Sequence, residues 1–319
     1  MDFNDALNFD IIDQVVKYYD NEAKQLADEQ NYQKLGIEIK NQIIFHNTTL
    51  YLYGSRYFQL GTDESDLDIL IDSKDKAPID VLKTLASSIA FKPNFIIKGF
   101  FPSTLVPCLR LLYLPQNICC DVTVNDYFGY CNSRVLKHLF IIQPEARYLF
   151  FFMKDYFTHN RVNVKGFLLA ILVCFFLQKI TLLPSLQIIQ SIYGENIIKA
   201  CERNNDYEKA LKDYKICKMK DYKLYIISFF KFYTNFNFSD QIISIHFGKS
   251  FQREEYTQKY KFIRCDSPMC IADPINQGFN CARSIDSNKY CRFIKNCRHG
   301  VEMFYEDLKK VNIAQNKTV

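Results

Sequence analysis

The sequence predicts an α/β lobe followed by a mainly helical lobe. Three observations predict it. A strand–turn–strand unit, Tyr51 to Ile71 (YLYGSRYFQLGTDESDLDILI), sits early and is followed by a helix and further strand-like segments. Beyond Asn132 the apolar residues recur at helical spacing almost to the end. The chain has 319 residues, enough for two lobes with their own cores. Strands and helices mixed around one segment argue for α/β layering. The reading divides the chain into residues 1–45, a helical segment packing on the helical lobe; 46–131, the α/β lobe; and 132–319, the helical lobe. A ligand cleft between lobes is the usual consequence.

Taken in order, residues 1–45 read as helix, with Leu7, Ile11, Ile12, Val15, Val16 and Tyr19 at helical spacing. Thr49 to Tyr53 reads as a strand, and Ser65 to Ile71 as a second. Ile79 to Ala90 is a helix; Phe91 to Phe101, Val106 to Leu114 and Ile118 to Val124 are strands. The α/β pattern ends near Gly129. Helices are expected at Ser133–Phe140 and at Pro144–His159, where proline suits the first turn. Lys165–Lys179 reads as a core helix, Leu183 to Gln187 as a helix break, and Lys223–Tyr233 as another helix. Asp240 to Phe247 reads as a short strand pair or extended arm, and Ile285 to Lys310 as a basic closing helix. Cys201 to Asp221 is the largest polar, charged stretch and reads as an insertion. There is no internal repeat and no low-complexity segment.

In Ser65 to Ile71, Asp66 and Asp68 alternate with Leu67 and Ile69. Alternate residues of a strand share a face, so both carboxylates point the same way, beside the Gly54-Ser55 turn. Adjacent like charges repel unless a cation sits between them. Oxygen ligands of this kind suit Mg²⁺, held by one or two carboxylates plus substrate phosphates. The amides after Gly54 suit the phosphates themselves. A lone D-x-D is more often a solvated strand edge. Here Gly-Ser precedes Asp66 by eleven residues, with a strand on each side. A third carboxylate, Asp121, lies in the strand Ile118 to Val124.

Hydrophobic residues make up 48% and aromatics 15%, which excludes a disordered chain. The net charge of +5 fits a phosphate-rich partner without requiring one. Met1 to Asp5 is acidic and polar, unlike a signal peptide. The longest apolar run, Phe167 to Leu177, is 11 residues, too short for a bilayer, and no membrane partner is expected. Twelve cysteines without a secretory signal point to reduced thiols, and so to a cytoplasmic or nuclear setting. Cys265, Cys270, Cys281, Cys291, Cys297 and His299 crowd the C-terminal part, but their spacings match no C-x₂-C pair of a zinc finger.

The Gly-Ser, spacer and D-x-D pattern resembles the nucleotidyltransferase superfamily of DNA polymerase beta. Later stretches narrow the resemblance to terminal uridylyltransferases and cytoplasmic poly(A) polymerases of the Cid1 type. They are Asn132-Ser133, Lys154 within Phe152 to Tyr156, Gly166-Phe167, and Leu183-Pro184-Ser185-Leu186-Gln187. Phe229 to Lys249 resembles the PAP-associated segment, and Asp273-Pro274 with Asn280-Cys281-Ala282-Arg283 the D-P-x₅-N-x-A-R motif. The resemblance covers about residues 45–305. It implies a catalytic nucleotidyltransferase lobe, with Asp66, Asp68 and Asp121 holding Mg²⁺ or Mn²⁺, and a PAP-associated lobe. It implies that Gly54 and Ser55 meet the triphosphate, Lys154 the triphosphate, Asn132 the sugar, and Phe167 the stacked base. Asp273, Phe279 and Arg283 would read the nucleotide. Asn132 also stands where a cap for a helix at Ser133 would. Two places depart from the family: Thr158 stands where a second lysine is common, and Gly166-Phe167 replaces Ser-Tyr.

The activity implied is template-independent addition of a nucleoside monophosphate to an RNA 3′ end. The five residues between Pro274 and Asn280 match the uridylyltransferase count, with Phe279 in the place of a histidine. UTP is therefore the expected substrate and ATP the alternative; a catalytically inactive RNA-binding relative is a third reading. No separate RNA-binding module is recognisable, so a protein partner for targeting is expected.

Overall fold

Alternating apolar residues build one five-stranded sheet. Its strands are β1 (Thr48–Tyr53), β2 (Leu67–Ser73), β3 (Phe95–Phe101), β4 (Cys108–Tyr113) and β5 (Ile118–Val124). The order is β1-β2-β5-β4-β3, with β2 and β5 parallel and the other neighbours antiparallel. This computed structural model describes residues 9–42, 48–74, 76–194, 196–197, 199 and 217–315. Leu7, residues 43–45 and the charged stretch from Cys201 to residue 216 lie outside the described residues.

One sheet face is apolar. Leu67, Ile69 and Ile71 of β2, Leu109, Leu111 and Tyr113 of β4, and Cys120, Val122 and Val124 of β5 all point to it. Leu35 and Ile39 of a helix at Gln33–Gln42 and Val81, Leu82, Leu85 and Ile89 of a helix at Pro78–Ile89 cover it. Truncating one such leucine to alanine costs about 2–5 kcal/mol. The opposite face is left for chemistry. Across it Tyr53 pairs with Asp68, Asp68 with Asp121, Asp121 with Arg110, and Arg110 with Gly99. This is one lateral row through all five strands.

The helices named from here are α1 (Phe9–Leu26), α2 (Gln33–Gln42), α3 (Gly54–Tyr57), α4 (Pro78–Ile89) and α5 (Tyr127–Ile142). The chain divides into two units, residues Tyr19–Lys137 and a second made of the residues up to Tyr18 with those from His138 on. The borders therefore differ from the expected 45 and 131. The N-terminal segment is not one helix, because Asp28 accepts the Gln30 N–H and starts a 3₁₀ turn between α1 and α2. Tyr32, Leu35 and Ile39 then belong to the sheet's core. α5 starts at Tyr127, where Asp126 Oδ1 accepts the Gly129 N–H at 3.3 Å. Asn132 consequently lies inside a helix and caps nothing.

The second unit contains α6 (Glu145–His159), α7 (Gly166–Lys179), α8 (Leu186–Tyr193), α9 (Lys223–Asn235), α10 (Arg253–Lys259) and α11 (Ser287–Gln315). α7 is buried continuously from Leu168 to Gln178, as an all-apolar helix must be. Aromatic rings join α6, α9 and α11: Tyr156 and Phe230 are 4.9 Å apart, and Phe230 stacks on Phe304 at 5.9 Å. No helix among the described residues is long and apolar enough to cross a membrane. A three-stranded sheet, β7-β6-β8, completes the unit, with β6 at Gln241–Ser244, β7 at Lys249–Gln252 and β8 at Cys270–Ile271. The strand pair expected near Asp240 is β6 and β7; α10 and the two-residue β8 are too short for periodicity to reveal.

The helix break at Leu183 to Gln187 has a structural task. Ser185 caps α8 by accepting the Ile188 N–H. Gln178 donates to Pro184 O at 2.9 Å and Ile245 O at 3.0 Å, and the Gln187 N–H donates to His246 O at 2.9 Å. Gly248, at φ +64°, brings the backbone against Ser185, where a Cβ would stand 3.0 Å away. The two motif stretches thus lock into each other.

Candidate active site

The chemistry of the sheet unit concentrates where the row crosses β1, β2 and β5. Gly54 follows β1 at φ +76°, and a Cβ there would land on Asp68 Oδ2. Only glycine combines that left-handed backbone with that approach. The Gly54 N–H donates to Ser133 Oγ at 2.8 Å, and the Ser133 hydroxyl donates to Gly129 O at 2.8 Å. Gly54 therefore supplies clearance, and Ser55 beside it is half-buried. Asn132 and Ser133 are both buried.

The spacer between Ser55 and Asp66 hangs on one guanidinium. Arg56 is 3% exposed. It donates to Ser65 O at 2.7 Å, Asp63 O at 2.8 Å and Tyr32 Oη at 2.9 Å. Its charge also steadies Asp66.

The three carboxylates strain against one another. Burial first, then the charges of Asp121 and Asp66, push the Asp68 carboxyl up to about 8. Burial and Asp121 raise Asp66, against the pull of Arg110 and Arg56. Arg110 answers part of this charge. Its Nε donates to Asp121 Oδ1 at 2.7 Å and its Nη2 to Asp121 Oδ2 at 2.6 Å, while Nη2 also reaches Asp66 Oδ2 at 3.4 Å. A hard-oxygen donor set with excess negative charge fits a divalent cation such as Mg²⁺. Among the described residues no three His, Cys, Asp or Glu side chains stand ready-made around a metal.

The other sequence-predicted residues lie in the helical unit. Lys154 is half-buried on α6. Phe167 is half-buried in the first turn of α7, ahead of the wholly buried run that begins at Leu168. A Cβ on its neighbour Gly166 would meet only Phe150, at 4.0 Å, so a hydroxyl-bearing residue fits there. The Asp273–Asn280 loop is self-braced. Asp273 Oδ1 accepts the N–H groups of Ile275 (2.9 Å) and Asn276 (2.8 Å). Asn280 Oδ1 accepts those of Ile271 and Ala282, and its Nδ2 donates to Arg264 O and Met269 O. Gln277 ties Asp273 O and Pro274 O to Tyr256 and Ser244. Arg283, exposed, lies over the half-buried Phe279 ring, its Cζ 4.6 Å from the ring centre. Cys265 and Cys270 approach to 2.6 Å between sulfurs.

Residues 10–140 match the family described as "Poly(A) RNA polymerase, mitochondrial-like, central palm domain", and residues 225–278 match "Cid1 family poly A polymerase". The chain belongs to the poly(A)-polymerase-like nucleotidyltransferases. Poly(A) RNA polymerase GLD2 of Homo sapiens is 22% identical over 309 residues, 88% of this chain and 61% of that protein. The chain thus spans about three fifths of that relative's length. The crystal structure of mtPAP in complex with CTP has a TM-score of 0.76 at 18% identity, covering 95% of this chain and 69% of that one. Terminal uridylyl transferase 4 from Trypanosoma brucei with bound GTP has a TM-score of 0.65 at 17% identity, covering 91% and 97%. These structural likenesses speak for the nucleotidyltransferase fold.

The palm-domain match takes in the whole row of this nucleotidyltransferase, and the Cid1-family match stops at Gly278, one residue before Phe279. Four working residues carried no assigned role in the sequence, although Ser133 and Asn280 lie within its motifs. Arg110 stands in an expected strand, but only the register sets it opposite Asp121. Ser133, not Asn132, holds Gly54. Arg56 binds mostly backbone carbonyls, a pairing that leaves no spacing signal, and the spacing that marks Asn280 does not show the backbone groups it holds.

Proposed function

We propose that this protein adds nucleoside monophosphates to RNA 3′ ends without a template, releasing pyrophosphate, with ATP as the favoured nucleotide. The observation that carries the reading is the juxtaposition of Asp68 and Asp121 on paired strands, with Asp66 beside them and Gly54 packed on Asp68. The similarity to poly(A) polymerases favours ATP over the UTP expected from the sequence. Asp66, Asp68 and Asp121 would hold Mg²⁺ or Mn²⁺. When bound, divalent ions at such a site lower the pKa of an attacking hydroxyl and neutralise charge on the leaving pyrophosphate. Gly54 keeps Asp68 uncovered, Ser55 meets the triphosphate, and Arg56 fixes the spacer so that both act from set positions. Lys154 binds the triphosphate, and Phe167 supplies a stacking face. Asp273 builds the loop from which Phe279 and Arg283 meet the nucleotide. The free thiols among the described cysteines fit a reducing, cytoplasmic setting.

UTP is the second reading, favoured by the five residues between Pro274 and Asn280 and by Phe279, whose ring narrows that loop against a purine. A site that reads by shape alone discriminates weakly. The test is incubation of purified protein with a labelled RNA, Mg²⁺ or Mn²⁺, and each nucleoside triphosphate separately. Extension with ATP, absent in Asp68→Asn, is the expected result. Extension with UTP alone moves the conclusion to the second reading, and no extension with any nucleotide overturns both.

A further inference from the structure

The least expected residue of the site is Arg110. It lies directly opposite Asp121 on the neighbouring strand, and its planar fork meets both Asp121 oxygens, at 2.7 and 2.6 Å. The same Nη2 reaches Asp66 Oδ2 at 3.4 Å. One side chain thus spans two of the three carboxylates proposed to hold a metal. We propose that Arg110 is a built-in counter-cation, a positioning residue that competes with the divalent ion for Asp66 and Asp121. This inference rests on the reading of the three carboxylates as a metal site.

Three carboxylates on one face repel one another, and without a cation the row would spread or take up protons. A guanidinium whose fork fits a carboxylate at two points relieves that repulsion and keeps Asp121 oriented. The Arg110 side chain is 42% exposed and that of Asp121 19% exposed, so the pair is partly screened by water and is displaceable. A divalent ion brings twice the charge and a tighter fit to oxygen, so Arg110 yields when the ion arrives. The exposed side of the guanidinium gives it somewhere to go. The ion's net affinity is lowered by whatever Arg110 contributed. A triphosphate that adds its own oxygens to the ion then tips the balance, so metal and nucleotide load together.

The test uses the full chain and reads Mn²⁺ uptake by electron paramagnetic resonance, with and without a non-hydrolysable nucleoside triphosphate. Wild type is compared with Arg110→Gln, which removes charge and fork, and Arg110→Lys, which keeps the charge and loses the fork. Without nucleotide, Arg110→Gln should bind Mn²⁺ about fivefold more tightly, the upper end of what losing one partly exposed ion pair gives. Arg110→Lys should bind about threefold more tightly, since a single ammonium point contact competes less well than a fork. The gain in Mn²⁺ affinity on adding nucleotide should be smaller in both variants than in wild type. As a second readout, saturating Mn²⁺ should raise the Tm of Arg110→Gln more than that of wild type. Equal or weaker Mn²⁺ binding by Arg110→Gln overturns the inference, as does Arg110→Lys indistinguishable from wild type. If wild type binds Mn²⁺ and Asp68→Asn does not, the metal site stands whichever way Arg110 behaves. If wild type and Arg110→Gln both fail to bind Mn²⁺ with nucleotide present, the metal site falls and the inference with it.

Discussion

The sheet row and the Asp273–Asn280 loop both carry motif residues, and they use them in opposite ways. In the row, backbone ladder bonds hold the strands, and the side chains of Asp68, Asp121 and Arg110 are left to face one another. In the loop there is little ladder, so Asp273, Gln277 and Asn280 hold the backbone themselves. The row's motif side chains are therefore left available for the proposed chemistry, whereas Asp273 and Asn280 of the loop are spent on architecture. The side chains of Phe279 and Arg283, proposed to meet the nucleotide, brace none of this backbone; the Arg283 guanidinium lies over the Phe279 ring.

The sharpest way to break this contrast is Asp68→Asn. Transfer should fall by at least about 10³-fold, because a ligand of the proposed metal site is lost, while circular dichroism stays that of wild type. Activity within tenfold of wild type would remove Asp68 from the chemistry. Next comes Gly54→Ala. Its Cβ would displace the Asp68 carboxylate, and its backbone would be held at φ +76°. A displacement on the order of 1 Å near reacting atoms costs about 10²-fold in rate. A Gly54→Ala enzyme with unchanged kcat would show that Asp68 does not need that clearance.

In the loop the same kind of change should act on stability. Asn280→Ala leaves two N–H groups and two carbonyls without their partner, at about 2–4 kcal/mol. Chemical denaturation should show that loss, with kcat changed less than KM. If kcat collapses while stability holds, Asn280 is chemistry and the contrast fails. Phe279→His should do the reverse, leaving Tm alone and moving the UTP/ATP ratio of kcat/KM several-fold toward UTP, since a histidine adds a hydrogen bond that a phenyl ring lacks. An unmoved ratio would take Phe279 out of base reading.

The smallest expected effect lies on α5. His138 is 1% exposed, and neither ring nitrogen has a hydrogen-bond partner among the described residues. Burial pushes it from its usual 6.5 down to about 4. Between these values the unfolded chain binds a proton that the folded chain refuses, so stability is present above pH 6.5 and drains away toward pH 4. His138→Phe should flatten that part of the Tm–pH curve, and identical slopes for variant and wild type would refute the assignment.

Much of the fold was legible where periodicity was strict. β2 and β5 show their carboxylates because a strand with one apolar face leaves every second residue for something else. α7 shows itself because nothing polar interrupts Phe167 to Leu177. What stayed hidden depends on contacts between distant residues. Tyr32 and Arg56 meet through space, and no local pattern assigns α2 to the sheet's core. Asp126 starts α5 and Asp28 splits the N-terminal helix through single side-chain bonds, which composition does not separate from ordinary surface acids. Arg110 was hidden by commonness, since an arginine in a strand has many uses and only the pairing with Asp121 selects one.

The row through the sheet also makes length a functional property. Asn125 fastens the end of β5 to β2: its Oδ1 accepts the Ser73 N–H, its Nδ2 donates to Ser73 O, and its N–H donates to Ile71 O. Between that clasp and Asp121 lie Val122, Thr123 and Val124, so Asp121 stands an even four steps from Asn125, and that parity sets which face it takes. Lose one of the three, and parity inverts: Asp121 takes the place opposite Leu109 on the apolar face, and Cys120 takes the place opposite Arg110. A single missing codon there would disable the proposed metal site, because it edits the direction of a side chain while leaving its identity untouched.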